Sequence, residues 1–293
     1  MPLAEADVTF LRSLVARRSG NQLTTNQGYL MESRLAPVAA SAGLANVEAL
    51  VAELKRTPFK YEDLVAEAMT INETSFFRDS LPFDTLRKNL LPPILNARSA
   101  QKELSIWCAA SSSGQEPYSL AMALREQFPQ LIGWKVKILA TDISEDMVRR
   151  TREATYSQFE VNRGLPASLL LKHFERHGTQ WQVKQELRNW VKCRKMNLTG
   201  LWLPMPKFDI VFIRNVLIYF DQVGKQAILQ KTASNMAADS VLFLGGGESL
   251  VGLDVPFTRA AIDKTIYFRP TAAKPLFPTT LKPAVTSVGS RSS

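Results

Sequence analysis

The sequence predicts an α/β protein: an open, mostly parallel sheet with a small antiparallel insertion, preceded by a small all-α domain. Three observations predict it. Residues 104–109 form an apolar strand that passes through a small-residue loop into an apolar-periodic helix, and about thirty residues later a second apolar strand, within 134–143, ends in an acid. Residues 210–213 are apolar throughout, as a buried parallel strand requires. Ahead of all three, residues 3–70 carry only helical periodicity.

At 293 residues the chain is long enough for a full α/β domain with a smaller companion, and it can bury a large core. Cys108 and Cys193 lie far apart in strand-like contexts without metal-ligand spacing, so they read as reduced core residues of a cytosolic protein. Residues 1–7 lack the basic and apolar regions of a secretion signal. No uninterrupted apolar run approaches the ~18 residues of a membrane span, so a soluble, cytoplasmic chain without membrane insertion is expected. The net charge of +9 is unevenly placed: residues 1–68 hold seven basic and eight acidic side chains, residues 69–270 hold 26 and 19, and residues 271–293 hold three and none. A basic region of this kind steers an anionic partner, an acidic protein surface included, and acts on encounter rate more than on affinity.

Taken in order, Leu11, Leu14 and Val15 recur at helical spacing, and 29–42, 47–54 and 61–69 repeat the pattern between breaks at Gly20, Gly43 and Pro58. Arg12, Arg17 and Arg18 read either as a docking face or as a solvated helix flank. Residues 70–79 then crowd hydrogen-bonding side chains around Phe76, Phe77 and Arg78; these three could cover an adenine, hold a carboxylate or anchor an interdomain joint. Residues 81–97 give a helix with Pro82 in its first turn.

The first strand leads into Ala110-Ser111-Ser112-Ser113-Gly114, with Pro117 in the first turn of the next helix. Such a loop suits a crevice beyond the carboxyl ends of the strands. A lone Gly114 gives no dinucleotide fingerprint, and an ordinary strand-to-helix turn is the other reading. Asp142 ends the second strand, where an acid can take the two hydroxyls of a ribose; two residues before Ser144, it could instead help cap the next helix. Its position favours the ribose.

Ser144 opens a helix with Glu145 and Asp146 in its first turn, and 165–174 is short and helical. His173 and His177 read as surface histidines, because no third ligand stands near them, and no metal site is expected. Residues 181–183 and 186–196 read as an antiparallel excursion over about 178–196. After the third strand, Arg214 and Asn215, with Tyr219 one turn on, face the same crevice as Gly114 and Asp142. A helix over 222–236, a strand over 241–244 closing in the plain turn Gly245-Gly246-Gly247, and a last strand over 265–268 follow. Residues 271–293 are expected to be a disordered tail, leaving domains at 1–70 and 71–270.

Together these motifs resemble the CheR family, the chemotaxis receptor (protein-glutamate) O-methyltransferases. The resemblance covers residues 5–270 and rests on four signatures in order: Asn72-Glu73-Thr74-Ser75-Phe76-Phe77-Arg78, residues 107–119, Ala140-Thr141-Asp142-Ile143, and Arg214-Asn215-Val216-Leu217-Ile218-Tyr219-Phe220-Asp221. It implies a helical N-terminal domain before an S-adenosylmethionine-dependent methyltransferase sheet. It also implies methyl transfer from S-adenosylmethionine to glutamate side chains on the cytoplasmic helices of chemoreceptors, giving S-adenosylhomocysteine. Asn72, Thr74 and Arg78 would then reach the cofactor from the interdomain segment, and Glu116 and Asp142 would take its methionine and ribose portions beside the Gly114 loop. Asn197 and Leu198 would lie at the adenine, Arg214 and Asn215 beneath the methionine part, and Tyr219, with Arg78, at the transferred methyl.

The chemistry agrees with that cast. A glutamate of pKa about 4.3 is protonated roughly once in five hundred at pH 7, so the nucleophile needs no general base. In-line positioning of carboxylate, methyl and sulfur, which can contribute roughly 7–11 kcal/mol, is what the enzyme must supply, together with exclusion of water. Three departures from the family pattern stand out. Gln115 replaces a common glutamate, Gly245-Gly246-Gly247-Glu248 replaces a turn with histidine and serine, and the second helix carries Arg34 as its only basic residue. The turn in residues 175–181 also lacks the extra glycines of members that bind a receptor's C-terminal pentapeptide, so pentapeptide-independent methylation is expected. The competing readings are a nucleic-acid methyltransferase, motivated by the positive charge but lacking an Asn/Asp-Pro-Pro-aromatic motif, and a cofactor-binding adaptor of receptor arrays that transfers no methyl.

Overall fold

A computed structural model describes residues 3–24, 27–57 and 59–271 of the protein. Pro58 and residues 272–293 of the expected tail lie outside the described residues. Four helices come first: α1 (Glu5–Ser19), α2 (Gly28–Ser41), α3 (Val47–Arg56) and α4 (Glu62–Ala68). Leu11, Leu14, Val15, Leu35, Leu50 and Leu54 are buried in one cluster, which turns the 3.6-residue period into a packed stripe. Arg17 donates to Glu62 at 2.6 Å and Arg18 pairs with Asp63. These arginines clamp α1 to α4, and Arg12 donates to Leu23 O at 2.8 Å.

Helix α5 (Leu81–Thr85), a π-turn (Leu86–Leu90) and α6 (Leu91–Ala97) run on continuously over the 81–97 span. The π-turn has a covalent cause. Pro92 and Pro93 have no N–H to return to the preceding turn, and just before them the Leu91 N–H reaches Leu86 O, five residues back.

The rest of the chain alternates strand and helix: β1 (Glu103–Ala109), α7 (Gln115–Gln127), β2 (Lys135–Asp142), α8 (Glu145–Glu153), β3 (Thr155–Ser157), α9 (Gln158–Asn162), α10 (Ala167–His173), β4 (Phe174–His177), β5 (Gln180–Val183), α11 (Gln185–Arg188), β6 (Val191–Lys195), β7 (Phe208–Ile213), α12 (Gln222–Ser234), β8 (Met236–Leu244), β9 (Phe257–Ile262) and β10 (Thr265–Pro270). The main sheet has the order β6-β2-β1-β7-β8-β10-β9. Its first five strands are mutually parallel, and β10 runs antiparallel to both β8 and β9. Alternate residues feed two buried clusters, Ile106, Cys108, Ile210 and Phe212 on one face and Trp107, Ala109, Val211 and Ile213 on the other. Burial on both faces is why these strands read as apolar runs.

Several elements differ from expectation. The antiparallel sheet, β3-β5-β4, lies over residues 155–183, while Val191–Lys195 is a parallel edge strand paired with β2. Edge strands alternate apolar and charged residues in either direction, so the pattern in 186–196 carried no sign of which way the strand ran. His173 is not at the surface: it lies one turn past Leu169 and Leu170, buried, with Nε2 2.7 Å from Glu126 Oε1. β8 begins at Met236, with a register shift opposite β7, and β9 is a further strand that its half-exposed residues concealed.

Candidate active site

β1 lies between β2 and β7, and at the carboxyl ends Ala109 stands in register with Thr141 on one side and Ile213 on the other. The 110–114 loop, Asp142 and Arg214 therefore emerge side by side, at the point where the strand order reverses. A cleft of about 980 Å³, counting its open mouth, lies over these tips. Asn72, Thr74, Arg78, Glu116, Asp142, Asn197, Leu198, Arg214, Asn215 and Tyr219 all line it. Gly114 does not; it caps α7 in a left-handed conformation (φ 96°), packed against Thr151 and the Tyr156 hydroxyl.

Asp142 is buried, and each of its oxygens accepts a backbone N–H: Oδ2 from Ser112 at 2.8 Å and Oδ1 from Ser144 at 3.0 Å. Helix α8 is capped by the Ser144 hydroxyl, which accepts the Met147 N–H, so capping is not Asp142's part. A carboxylate has about four acceptor sites, which leaves two for a pair of hydroxyls. Burial pushes the Asp142 pKa up, against the pull of the backbone donors.

Across the cleft, Glu116 in the first turn of α7 accepts Arg214 Nη1 at 2.8 Å. Arg214 Nη2 donates to Arg78 O and to Asp79 Oδ2, both at 2.8 Å, so one guanidinium joins β7, α7 and the 70–79 segment. Its Nε is buried with no hydrogen-bond partner among the described residues. Burial raises the Glu116 pKa, while the charges of Arg214 and Arg78 oppose that rise. Tyr219, at the end of a short 3₁₀ turn (Leu217–Tyr219), also has its pKa raised by burial, so its phenol stays protonated and can donate.

The aromatic pair anchors the joint. Phe76 meets Tyr156 and Phe174 edge-on at 5.1 and 5.8 Å, and Phe77 meets Phe83 at 5.5 Å, leaving Arg78 to the cleft. Left-handed backbone gathers here: Phe77, Asp79, Ala110, Ser112 and Asn215 all have φ between 49° and 58°. Such residues hold strain that only a well-determined surround maintains, and they cluster at functional sites. The Asn197 amide is already engaged, Nδ2 donating to Arg18 O at 2.6 Å and Oδ1 accepting the Thr199 N–H at 3.0 Å. Thr199 Oγ1 also donates to the same oxygen at 2.8 Å, and Asn197 lies in the cleft wall beside Leu198.

Residues that sequence reasoning passed over complete the site. Ser19, the last residue of α1, and Asn21 just after it line the cleft, and Gln22 N–H donates to Tyr219 O at 2.9 Å. Gly20 permits this approach: its φ is 74°, and a Cβ there would stand 2.6 Å from Thr199 Cγ2. Arg34 donates to Thr70 O at 2.5 Å, so the lone cation of α2 is turned into the joint. Glu67 of α4 pairs with Lys195 and accepts the Glu145 N–H at 3.0 Å. Glu248, after the glycine turn, gathers backbone N–H groups from 215–218; a strand-tip acid like Asp142 was the available signal.

The donor set fits S-adenosylmethionine. A buried acid with spare acceptor sites suits the ribose diol, and the Glu116–Arg214 pair, with an unused Arg214 Nε, offers both an acceptor and a donor to an amino-acid end. Among the described residues no group of three or more His, Cys, Asp or Glu stands in metal-binding array, and no helix is long and apolar enough to cross a membrane.

Residues 72–266 match the family described as CheR methyltransferase, SAM binding domain. The chain is 36% identical over 273 residues to chemotaxis protein methyltransferase 1 of Pseudomonas aeruginosa, an overlap covering 92% of this chain and 99% of that protein. It is 36% identical over 258 residues to chemotaxis protein methyltransferase Cher2 of Pseudomonas putida, covering 86% and 94% respectively. Over 254 residues it is 37% identical to the chemotaxis protein methyltransferase of Vibrio parahaemolyticus, covering 85% and 91%.

Proposed function

The chain belongs to the CheR methyltransferase family, and from that premise we propose that it methylates glutamate side chains on the cytoplasmic helices of chemoreceptors, converting S-adenosylmethionine to S-adenosylhomocysteine. The observation that carries this reading is the meeting of Asp142, the Glu116–Arg214 pair and Tyr219 in one cleft at the tips of β1, β2 and β7. Bound S-adenosylmethionine supplies a methyl group made electrophilic by its sulfonium. Asp142 holds the ribose end, and Glu116 with Arg214 holds the amino-acid end. The strand tips fix both, and positioning is what they contribute.

Arg78 and Tyr219 handle the incoming carboxylate. Arg78 lines the same cleft as Glu116 and Tyr219. An anionic substrate gains from the Arg78 charge, and the Tyr219 phenol, neutral at pH 7 and with its pKa moved further up by burial, donates a hydrogen bond. Nothing here must act as a base, since a glutamate is already ionised at neutral pH.

The receptor is reached without its C-terminal pentapeptide in this reading. Gly178 and Thr179 form a two-residue turn between β4 and β5, a short hairpin that matches the lack of extra glycines in the sequence. The test is tritiated methyl transfer to purified receptor cytoplasmic domains, with Asp142→Ala as the control. Label released as methanol by mild alkali supports a glutamate ester; alkali-stable label, or label in nucleic acid, overturns it. Cofactor binding without any label in the receptor would leave an adaptor.

A further inference from the structure

The turn that carries Asn215 and Tyr219 is wrapped around the carboxylate of Glu248, a residue outside the cleft lining. Glu248 Oε2 accepts the N–H groups of Asn215 at 2.9 Å and Gly245 at 2.7 Å. Oε1 accepts those of Val216 at 2.9 Å and Leu217 at 2.7 Å, with Ile218 N at 3.4 Å. Consecutive backbone donors around one point make an anion-binding nest, and here the anion is the protein's own.

Asn215 is left-handed (φ 58°), so the chain leaves β7 in a conformation that the strand ladder cannot hold. Glu248 replaces the ladder with charge-assisted bonds, which are short and about twice as strong as neutral ones. Gly245 makes room for it: a Cβ there would stand 2.8 Å from Asn215 N and 2.9 Å from Glu248 Oε2. The carboxylate thus ties the tip of β8 to the tip of β7 and sets where the 3₁₀ turn ending at Tyr219 begins.

We infer that Glu248 is a positioning residue for methyl transfer, acting through the 215–219 turn on Tyr219 without touching either ligand. This rests on the methyl-transfer reading above. Its effect should fall on turnover more than on cofactor affinity. Arg214 is fixed independently by Glu116, Asp79 and Arg78 O, and Asp142 sits on β2, on the other side of β1.

The variants are Glu248→Gln, which removes the charge and puts an NH₂ against N–H donors; Glu248→Asp, which keeps the charge on a shorter arm; and Gly245→Ala, which crowds the nest and leaves the charge. In Glu248→Gln turnover on a receptor domain is expected to fall on the order of 100-fold, the scale of a misplacement of about 1 Å. The dissociation constant of S-adenosylhomocysteine should stay within about threefold, and Glu248→Asp should recover part of the lost turnover. Turnover within threefold of wild type, or affinity lost in step with turnover, overturns the inference. Should Glu248→Gln fail to fold, Glu248→Asp and Gly245→Ala carry the same comparison. A wild-type protein that methylates no receptor domain sinks the functional reading instead. Backbone amide resonances then decide about Glu248: shifts confined to 215–218 and 245 support its hold on the turn, and unmoved resonances refute it.

Discussion

Arg214 Nη1 donates to Glu116 Oε2 across 2.8 Å, in a pair whose arginine side chain is only 2% exposed. The same guanidinium also holds the 70–79 segment at Arg78 O and Asp79. Removing it strands a buried carboxylate, so Arg214→Ala should cost about 3–5 kcal/mol of stability, read by urea denaturation. Arg214→Lys should recover little of that, because a point ammonium cannot serve three acceptors from the same plane. Full stability in either variant would show that the network is dispensable.

The same pair predicts a pH dependence. The folded-state pKa of Glu116 is raised above its ordinary 4.5 by burial, so the folded protein holds that proton more tightly than the unfolded chain does. Its contribution is fully present below about pH 4.5 and is lost as pH rises through the folded value. Glu116→Gln should therefore lose less stability than wild type between pH 4.5 and 7, measured by denaturation at each pH. An unchanged slope argues against a raised Glu116 pKa.

Asp142 should act mainly on affinity. A hydrogen bond to a charged group contributes about 1.5–3 kcal/mol, so Asp142→Ala should weaken S-adenosylhomocysteine binding by roughly 10- to 150-fold in calorimetry. Asp142→Asn keeps an acceptor for only one of the two backbone donors, Ser112 and Ser144, and should fall between. Wild-type affinity in Asp142→Ala would remove the ribose from this strand tip.

Gly20→Ala places a methyl 2.6 Å from Thr199 Cγ2 and 2.8 Å from the Phe220 ring, at a φ of 74°. Overpacking of this kind costs about 1–3 kcal/mol, so the melting temperature should drop. Cofactor affinity should drop with it, because Thr199 supports Asn197 in the cleft wall. A loss of stability with unchanged affinity would separate the seating of α1 from the site.

A free peptide matching the last five residues of a pentapeptide-bearing receptor should give no saturable heat when titrated into the protein. Receptor domains with and without that tail should be methylated at equal rates. Tight binding of the peptide would overturn the pentapeptide-independent reading.

Much of this architecture was legible because burial on both faces leaves an unmistakable mark. β1 and β7 read as apolar runs and β2 as one beyond Lys137, and the polar residues at the ends of β2 and β7, Asp142, Arg214 and Asn215, are conspicuous against them. The edge strands were not legible in direction. β6 alternates apolar and charged residues as an antiparallel ribbon would, and only its pairing with β2 shows it to be parallel. His173 misled for a related reason: its polar side chain was assigned to water, whereas it is turned inward to Glu126. Glu248 escaped because its ligands are backbone N–H groups, which a sequence does not display.

The helical bundle is one bank of the cleft. Ser19 and Asn21 belong to it, Gln22 holds Tyr219 O, and Arg18 O holds Asn197. A small molecule lodged between two such banks is gripped from both, so its occupancy and the seating of the bundle share one equilibrium, and each strengthens the other by the same factor.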